Sequence, residues 1–180
     1  MRVISGIHKG RKLFCVDDLS VRPATDKVKG SIFNSLQHRL SLTNIKVLDL
    51  FAGSGSLGIE ALSRGASHTT FVDDNKLTCE FILKNINFLK EENRSTIITT
   101  NVASFLKNNS LVYGLIFADP PYSYGKIDEL PSLLCNSRLD KNGYLIIEHL
   151  TGIEFPKSDL YNIQVQKRFG KTTISYFTRN

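Results

Sequence analysis

The segment VLDLFAGSGSLGIEA, residues 47–61, decides how this chain is read. Its first five residues are apolar except for Asp49, the composition of a short strand buried on both faces. Gly53, Gly55 and Gly58 then satisfy G-x-G-x-x-G, and Leu57, Ala61 and Leu62 recur at helical spacing. Strand, glycine turn and helix in that order let a ligand approach bare backbone at the mouth of a helix. Asp73 stands 20 residues beyond Gly53, at the end of the next β-branched run. There a carboxylate can accept hydrogen bonds from ribose hydroxyls, so the pattern predicts a nucleoside-containing ligand.

Asp49 narrows the choice of ligand. A carboxylate at the strand end repels a pyrophosphate and attracts an ammonium group. S-adenosylmethionine carries an amino-acid ammonium and no phosphate, so Asp49 favours it over a nicotinamide dinucleotide. Asp49 can equally orient the loop by accepting from its backbone N–H groups, and the two roles are compatible.

Working outward, β-branched and apolar runs at residues 45–51, 69–72, 96–100, 115–118 and 144–148 alternate with helical periodicity. The helical positions are Leu57, Ala61 and Leu62, then Leu77, Phe81, Ile82, Ile86 and Leu89, then Ile127, Leu130 and Leu134. This βαβα order predicts a parallel sheet covered by helices. Gly65 and Asn93 are placed to end the first two helices in the left-handed conformation. Near the end, Ile163 with Val165 and Ile174 with Tyr176 alternate about Phe169-Gly170-Lys171, an antiparallel hairpin closing one sheet edge. Upstream, Arg22-Pro23 halts any structure, and Thr25 or Asp26 caps a helix carrying Val28, Ile32, Phe33 and Leu36. Residues 2–16, RVISGIHKGRKLFCV, read as a glycine-turned β element with a basic exposed side.

A second motif, Asp119-Pro120-Pro121-Tyr122, follows the fourth apolar run and so reaches the carboxyl edge of the sheet. An exocyclic amine on a base is a poor nucleophile because its lone pair is delocalised into the ring. The Asp119 carboxylate and the Pro120 carbonyl can hold both amino hydrogens and favour a pyramidal nitrogen. Prolines preset that carbonyl, and Tyr122 can stack on the base. The competing reading is an ordinary Asp-Pro turn ending a strand. With the glycine loop upstream, the chemical reading is preferred.

The 180 residues, 41% hydrophobic, suffice for one well-cored globular domain. Three cysteines without a CxxC or Cys/His cluster support neither a disulfide framework nor a metal site, and are expected to be reduced and mostly buried. No run approaches the roughly 20 apolar residues that cross a bilayer, and charges interrupt the N-terminus where a signal peptide is apolar, so a cytoplasmic protein is expected. The net charge of +6 is uneven. Residues 1–40 carry 8 basic and 3 acidic side chains, residues 41–160 carry 11 and 14, and residues 161–180 carry 4 and none. A neutral-to-acidic middle between basic ends suggests a small ligand at the centre and a polyanion gripped from outside.

Taken together, MRVISGIHKGRKL, RPATDKVKGSIFN, VLDLFAGSGSLGIEALSRGA, FVDDN, NVASFL, FADPPY, GYLIIEH and the Phe-Gly-Lys-Thr hairpin cover nearly the whole chain. They resemble the class I S-adenosylmethionine-dependent methyltransferases, and within them the bacterial 16S ribosomal RNA guanine-N2 methyltransferases. The resemblance implies a Rossmann-like α/β fold: a mostly parallel seven-stranded sheet, a C-terminal antiparallel hairpin and helices on both faces. It implies one methyltransferase domain over residues 1–180. Residues 1–40 would contact RNA and cover the active site, and residues 45–180 would form the catalytic core.

By the same resemblance, Asp49 and Gly53 line the methionine portion of S-adenosylmethionine, Gly55 the loop beside it, Phe51 is a further cofactor-binding residue, Asp73 holds the ribose, and Asn101 with Val102 borders the adenine. Asp119, Pro120, Pro121 and Tyr122 form the target-amine site. Arg22, Thr25 and Asn34 close over the cofactor or the incoming base. His8, Lys9, Arg11 and Lys12 contact 16S rRNA within the small subunit, where guanine 966 is the implied target. No metal, no membrane contact and a monomer are expected.

Two positions depart from the family pattern. Asn101 replaces an aspartate, which weakens selectivity for the adenine amine without abolishing acceptance, and Asp73-Asp74 replaces a glutamate-containing pair, leaving open which carboxylate points inward. The nearest alternative is an N6-adenine methyltransferase on DNA or RNA, whose amine the same motif serves. Such enzymes commonly append a recognition domain, for which 180 residues leave little room. A nicotinamide oxidoreductase is opposed by Asp49 and the Asp119 motif, and a catalytically idle RNA-binding factor is the remaining alternative. Glu148 is expected as a solvated strand-end carboxylate, His38 and His149 as surface histidines, and Lys167, Arg168 and Lys171 as either RNA contacts or edge-strand protection.

Overall fold

The computed structural model describes residues 1–15 and 26–180. Its elements are α1 (Asp26–Leu36), β1 (Lys46–Leu50), α2 (Ser56–Ser63), β2 (His68–Asp73), α3 (Lys76–Leu89), β3 (Ser95–Thr99), α4 (Val102–Asn108), β4 (Tyr113–Ala118), α5 (Leu130–Ser137), β5 (Leu139–Leu150), β6 (Tyr161–Phe169) and β7 (Thr172–Arg179). The seven strands form one sheet in the order β3-β2-β1-β4-β5-β7-β6. The first five run parallel, while β7 pairs antiparallel with both β5 and β6. This is the doubly wound sheet with a terminal hairpin that the resemblance implies.

Strand residues serve two faces in strict alternation. Val47, Leu115, Phe117 and Ile146 pack under α1 and α2 with Ile32, Phe33, Leu57 and Ala61. Their neighbours Leu48, Ile116, Leu145 and Ile147 pack under α4 and α5 with Phe105, Leu106, Leu130 and Leu134. Burial on both sides explains why these strands read as continuous apolar runs. A third cluster joins Val3 and Leu13 to Ile59 and Leu62 of α2 and to Ile82, Ile86 and Leu89 of α3. It seats the N-terminal segment on the outside of the helical layer.

That segment is a small hairpin, with Arg2 opposite Lys12 and left-handed turns at Gly6 and Gly10. Gly6 is dictated by space, since a Cβ there would lie 1.9 Å from the Ser63 carbonyl oxygen. Among the described residues, no helix is long and apolar enough to cross a membrane. Cys79 and Cys135 are buried, Cys15 is half-buried, and all three are free thiols.

Three expectations change. The left-handed residue ending α3 is Lys90 at φ 60°, not Asn93, which lies in a 3-10 turn over Glu92–Arg94. That helix stops a turn earlier than its residue types suggest because Glu91 turns inward to meet His8 and Arg94. His149 is buried rather than on the surface: β5 runs on past Glu148, pairing His149 with Thr173, and the imidazole bonds Ser175 Oγ at 2.7 Å. Helix α4, whose seven residues are too few to show a period, adds an element that periodicity missed. Gly65, by contrast, ends α2 as expected, at φ 105°. His38 is exposed, as are Arg168 and Lys171, while Lys167 is half-buried.

Candidate active site

The glycine loop joins β1 to α2 at the carboxyl edge of the sheet. Phe51, Gly53 and Gly55 all have positive φ, at 54°, 50° and 69°. A non-glycine residue held there is strained, and it persists because its neighbours fix the turn. The Ala52 N–H bonds the Val72 carbonyl at 3.0 Å, and the Gly55 N–H bonds the Ala52 carbonyl at 2.7 Å. Two carboxylates complete the loop: Asp73 Oδ2 accepts from the Gly53 N–H at 2.8 Å, and Asp49 Oδ2 accepts from the Gly58 N–H at 2.9 Å. Gly58 itself answers to packing, since a Cβ there would sit 2.3 Å from the Phe71 ring and 2.9 Å from Asp49 Oδ2.

Asp73 is half-buried, and its second oxygen accepts from the Asn75 N–H at 2.9 Å and the Thr78 hydroxyl at 3.0 Å. Asn75 caps α3 in turn. Asp74 is exposed. Of the adjacent pair, Asp73 is therefore the one bonded to the glycine loop. Asn101 is exposed and caps α4, its Oδ1 accepting from the Ser104 N–H at 2.8 Å, while Val102 is buried beneath that helix. Thr100, beside Asn101, donates its N–H to the Asp73 carbonyl at 2.9 Å, so the β2 and β3 ends adjoin.

The Asp119 loop leaves β4 next to the β1 end, the Asp119 N–H reaching the Leu50 carbonyl at 3.4 Å. Pro120 is buried, Pro121 exposed, and Tyr122 the most exposed aromatic of the loop at 59%. A turn from the Pro121 carbonyl to the Tyr124 N–H, 2.8 Å, brings the Tyr124 ring edge-on to Phe51 at 5.0 Å. This ring contact ties the two motif loops together, and only its Phe51 half was legible in the sequence.

Electrostatically the site is acidic. Burial pushes the Asp49 carboxyl up to about 8, with the nearby Asp119 and Asp73 charges adding to the shift and the Gly58 N–H opposing it. Burial likewise pushes Asp119 up to about 7, aided by the charge of half-buried Glu148. Half-buried Glu148 thus adds to the acidic field of the site while still meeting solvent. Among the described residues, no lysine or arginine forms an ion pair with Asp49, Asp73 or Asp119. Concentrated carboxylates without a cation favour a positively charged ligand and disfavour a phosphate.

The outer candidates divide. Arg22 and Thr25 lie outside the described residues. Asn34 is exposed on α1. Lys9, Arg11 and Lys12 are exposed on the N-terminal hairpin, whereas His8 is turned inward, its Nε2 2.6 Å from Glu91 Oε1. The hairpin is anchored by a buried network that the sequence did not reveal. Glu60 of α2 accepts from the Ile4 and Ser5 N–H groups at 2.7 and 3.0 Å and from Arg64 Nε at 2.8 Å. The fully buried Lys29 ammonium donates to the Arg2 carbonyl at 2.6 Å and to Ser56 Oγ at 3.0 Å.

Residues 1–178 match the family described as Conserved hypothetical protein 95. The chain belongs to this family. It is 36% identical over 185 residues to the Bacillus subtilis protein named "Putative rRNA methyltransferase YlbH", covering 99% of each chain. It is also 36% identical over 154 residues to Ribosomal RNA small subunit methyltransferase D of Escherichia coli strain K12, covering 86% of this chain and 74% of that one. Among solved structures it superimposes on "Putative methyltransferase yhhF from Escherichia coli" with a TM-score of 0.88 at 30% identity, over 99% of this chain and 97% of that one. The family's sheet is the Rossmann-like one described above.

Proposed function

We propose that this family member transfers a methyl group from S-adenosylmethionine to the exocyclic N2 of a guanine in 16S rRNA of the small ribosomal subunit. The observation that carries this reading is the shared acidic field of Asp49, Asp73 and Asp119 between the glycine loop and the Asp119 loop. It suits a cofactor with an ammonium and a sulfonium and no phosphate. The names of the two relatives compared above supply the RNA substrate class, and the basic N-terminal hairpin supplies a surface for it.

When bound, S-adenosylmethionine supplies an electrophilic methyl group on a positively charged sulfur. Asp49, with the Gly53 and Gly55 backbone, holds the amino-acid end, Phe51 flanks it, and Asp73 accepts from the ribose. Asn101 and Val102 border the adenine. Asn101 Oδ1 already accepts from Ser104, so only its second lone pair remains for an amine. Asp119 and the Pro120 carbonyl accept the two hydrogens of the target amine, and exposed Tyr122 stacks on the base. Once the amine gains the methyl group its nitrogen would become acidic, and Asp119 would accept that proton and pass it to solvent. Raised to about 7, Asp119 can both take and release that proton near neutral pH. By the family resemblance, Arg22 and Thr25, which lie outside the described residues, would cover this site together with Asn34, and residues 1–40 would form an RNA-facing layer on a catalytic core of residues 45–180.

The test is methyl transfer from labelled cofactor to undermethylated small subunits and to naked 16S rRNA, side by side, followed by nucleoside mass spectrometry. N2-methylguanosine is expected. N6-methyladenosine instead would select the second reading, an adenine methyltransferase, which the same acceptor pair permits.

A further inference from the structure

Two phenylalanines on the outer side of the molecule remain unused by the site. Phe14 and Phe88 are 39% and 45% exposed, and their rings meet edge-on at 5.6 Å. Their exposure is built in. Phe14 donates its N–H to Asn85 Oδ1 and accepts from Asn85 Nδ2, both at 2.8 Å, and Asn85 is fully buried. The backbone of Phe14 is therefore clamped to α3 while its ring is held out. Directly beside this pair, Leu13, Ile86 and Leu89 do enter the core.

Each ring also carries a cation. The Arg11 guanidinium lies 5.7 Å from the Phe88 centroid, and Lys84 Nζ lies 4.1 Å from the Phe14 centroid. Among the described residues, neither cation forms an ion pair. The rings hold both cations near one surface position, which lowers the ordering cost of a phosphate contact, and a cation–π contact does not itself consume their N–H donors.

We infer that Phe14, Phe88, Arg11 and Lys84 form an RNA-docking surface along α3, extending the contact of the N-terminal hairpin. The inference rests on the RNA-methylating reading for the identity of the polyanion. An apolar protein partner fits poorly, because covering the rings would bury two charges without counter-ions. An RNA strand supplies a phosphate for each cation and a base face for the exposed ring area. The surface is for docking rather than chemistry. Lys84 and Phe88 lie nine and thirteen residues past Asn75 at the site end of α3, or roughly 14 and 20 Å along the helix at its standard rise.

The full-length chain is titrated against undermethylated small subunits and naked 16S rRNA over a range of salt, with methyl transfer measured in parallel. Phe88→Ala is expected to weaken binding to both about tenfold without changing the salt slope. Lys84→Gln is expected to lower the log–log salt slope by about one unit. Both raise KM while kcat and cofactor affinity stay at wild-type values. If Phe88→Ala unfolds, Phe88→Leu retains the apolar packing and removes only the aromatic face. Folded variants with wild-type affinity and slope would overturn the proposal. So would a loss confined to the assembled subunit with naked RNA unaffected, which would assign the surface to a ribosomal protein. A wild-type chain that methylates neither substrate yet shows these losses would refute the functional reading and support the docking surface.

Discussion

Cofactor affinity is expected to rise steeply between pH 6 and pH 8. Asp49 is 3% exposed, and burial with its acidic neighbours raises its carboxyl to about 8. At pH 6 only about one free molecule in a hundred carries the anion, and at pH 8 about half do. The ligand's α-amine ordinarily titrates near 7.7–8.0, so it is almost fully charged at pH 6 and about half charged at pH 8. The product of the two fractions grows roughly twentyfold over that interval, about 2 kcal/mol of binding free energy, and falls again above it.

Calorimetric titration with S-adenosylhomocysteine, which keeps the amine and lacks the sulfonium, isolates this contact. In buffers of different ionisation heat it should show release of about one proton per ligand at pH 7. Asp49→Asn should erase the rising limb and weaken binding at pH 8. Affinity that is flat from pH 5 to pH 7 with no proton release would mean that Asp49 is already ionised, and the argument would fall. The same shift has a stability consequence of fixed sign. A carboxyl raised in the folded state binds its proton more tightly there than in the unfolded chain. The unliganded protein should therefore lose stability as pH climbs from about 4 to about 8, and Asp49→Asn should flatten that decline in thermal melts.

Asp119→Ala should cut turnover by roughly two to three orders of magnitude, as loss of preorganised electrostatics does, while the cofactor still binds, its affinity altered only through the charge removed from beside Asp49; an unchanged kcat would make the motif structural. In the wild type, kcat should rise with pH through about 7 as the Asp119 acceptor becomes charged, a limb that Asp119→Asn removes. Gly58→Ala forces a methyl group against Phe71 and Asp49, so urea unfolding should show a loss of about 1–3 kcal/mol, with cofactor affinity reduced as the loop shifts. Glu60→Gln turns an amide N–H₂ toward a backbone N–H and strands the Lys29 ammonium. A loss of about 3–5 kcal/mol and protease cleavage near residues 1–15 are expected, and a protected N-terminus would count against the anchoring role.

What was legible in the sequence followed from local rules. The strands declared themselves because burial on both faces demands unbroken apolar runs. Gly53, Gly55 and Gly65 declared themselves because the chain turns left-handed there. Proximity across the fold was not legible. Nothing in the spacing of Glu60 and Lys29, on two different helices, marks them as partners, yet they meet beneath the N-terminal hairpin, where Glu60 accepts from the Ile4 and Ser5 N–H groups. His149 looked isolated because its partner Ser175 lies 26 residues away on β7. His8 looked like one more cation of a basic run until Glu91, 83 residues on, appeared beside it. Which of Asp73 and Asp74 faces the glycine loop was likewise a matter of tertiary register: Asp73 is the one that reaches the Gly53 N–H.

Helix α2 explains how an acidic site and a basic docking face can work as one body. Its first residue, Ser56, follows the glycine loop and is bonded by Lys29. Its middle residue, Glu60, carries the start of the hairpin, and its last, Ser63, accepts from the Ile7 N–H through its carbonyl and from the His8 N–H through its hydroxyl. The eight residues span roughly 12 Å at the standard helical rise, so one short rigid rod begins at the glycine loop and holds the hairpin along its length. Lys9, Arg11 and Lys12 therefore project from an ordered scaffold rather than from a loose terminus. The entropy of fixing that backbone is lost on folding, so under the proposed function the hairpin would give up little backbone freedom in making phosphate contacts.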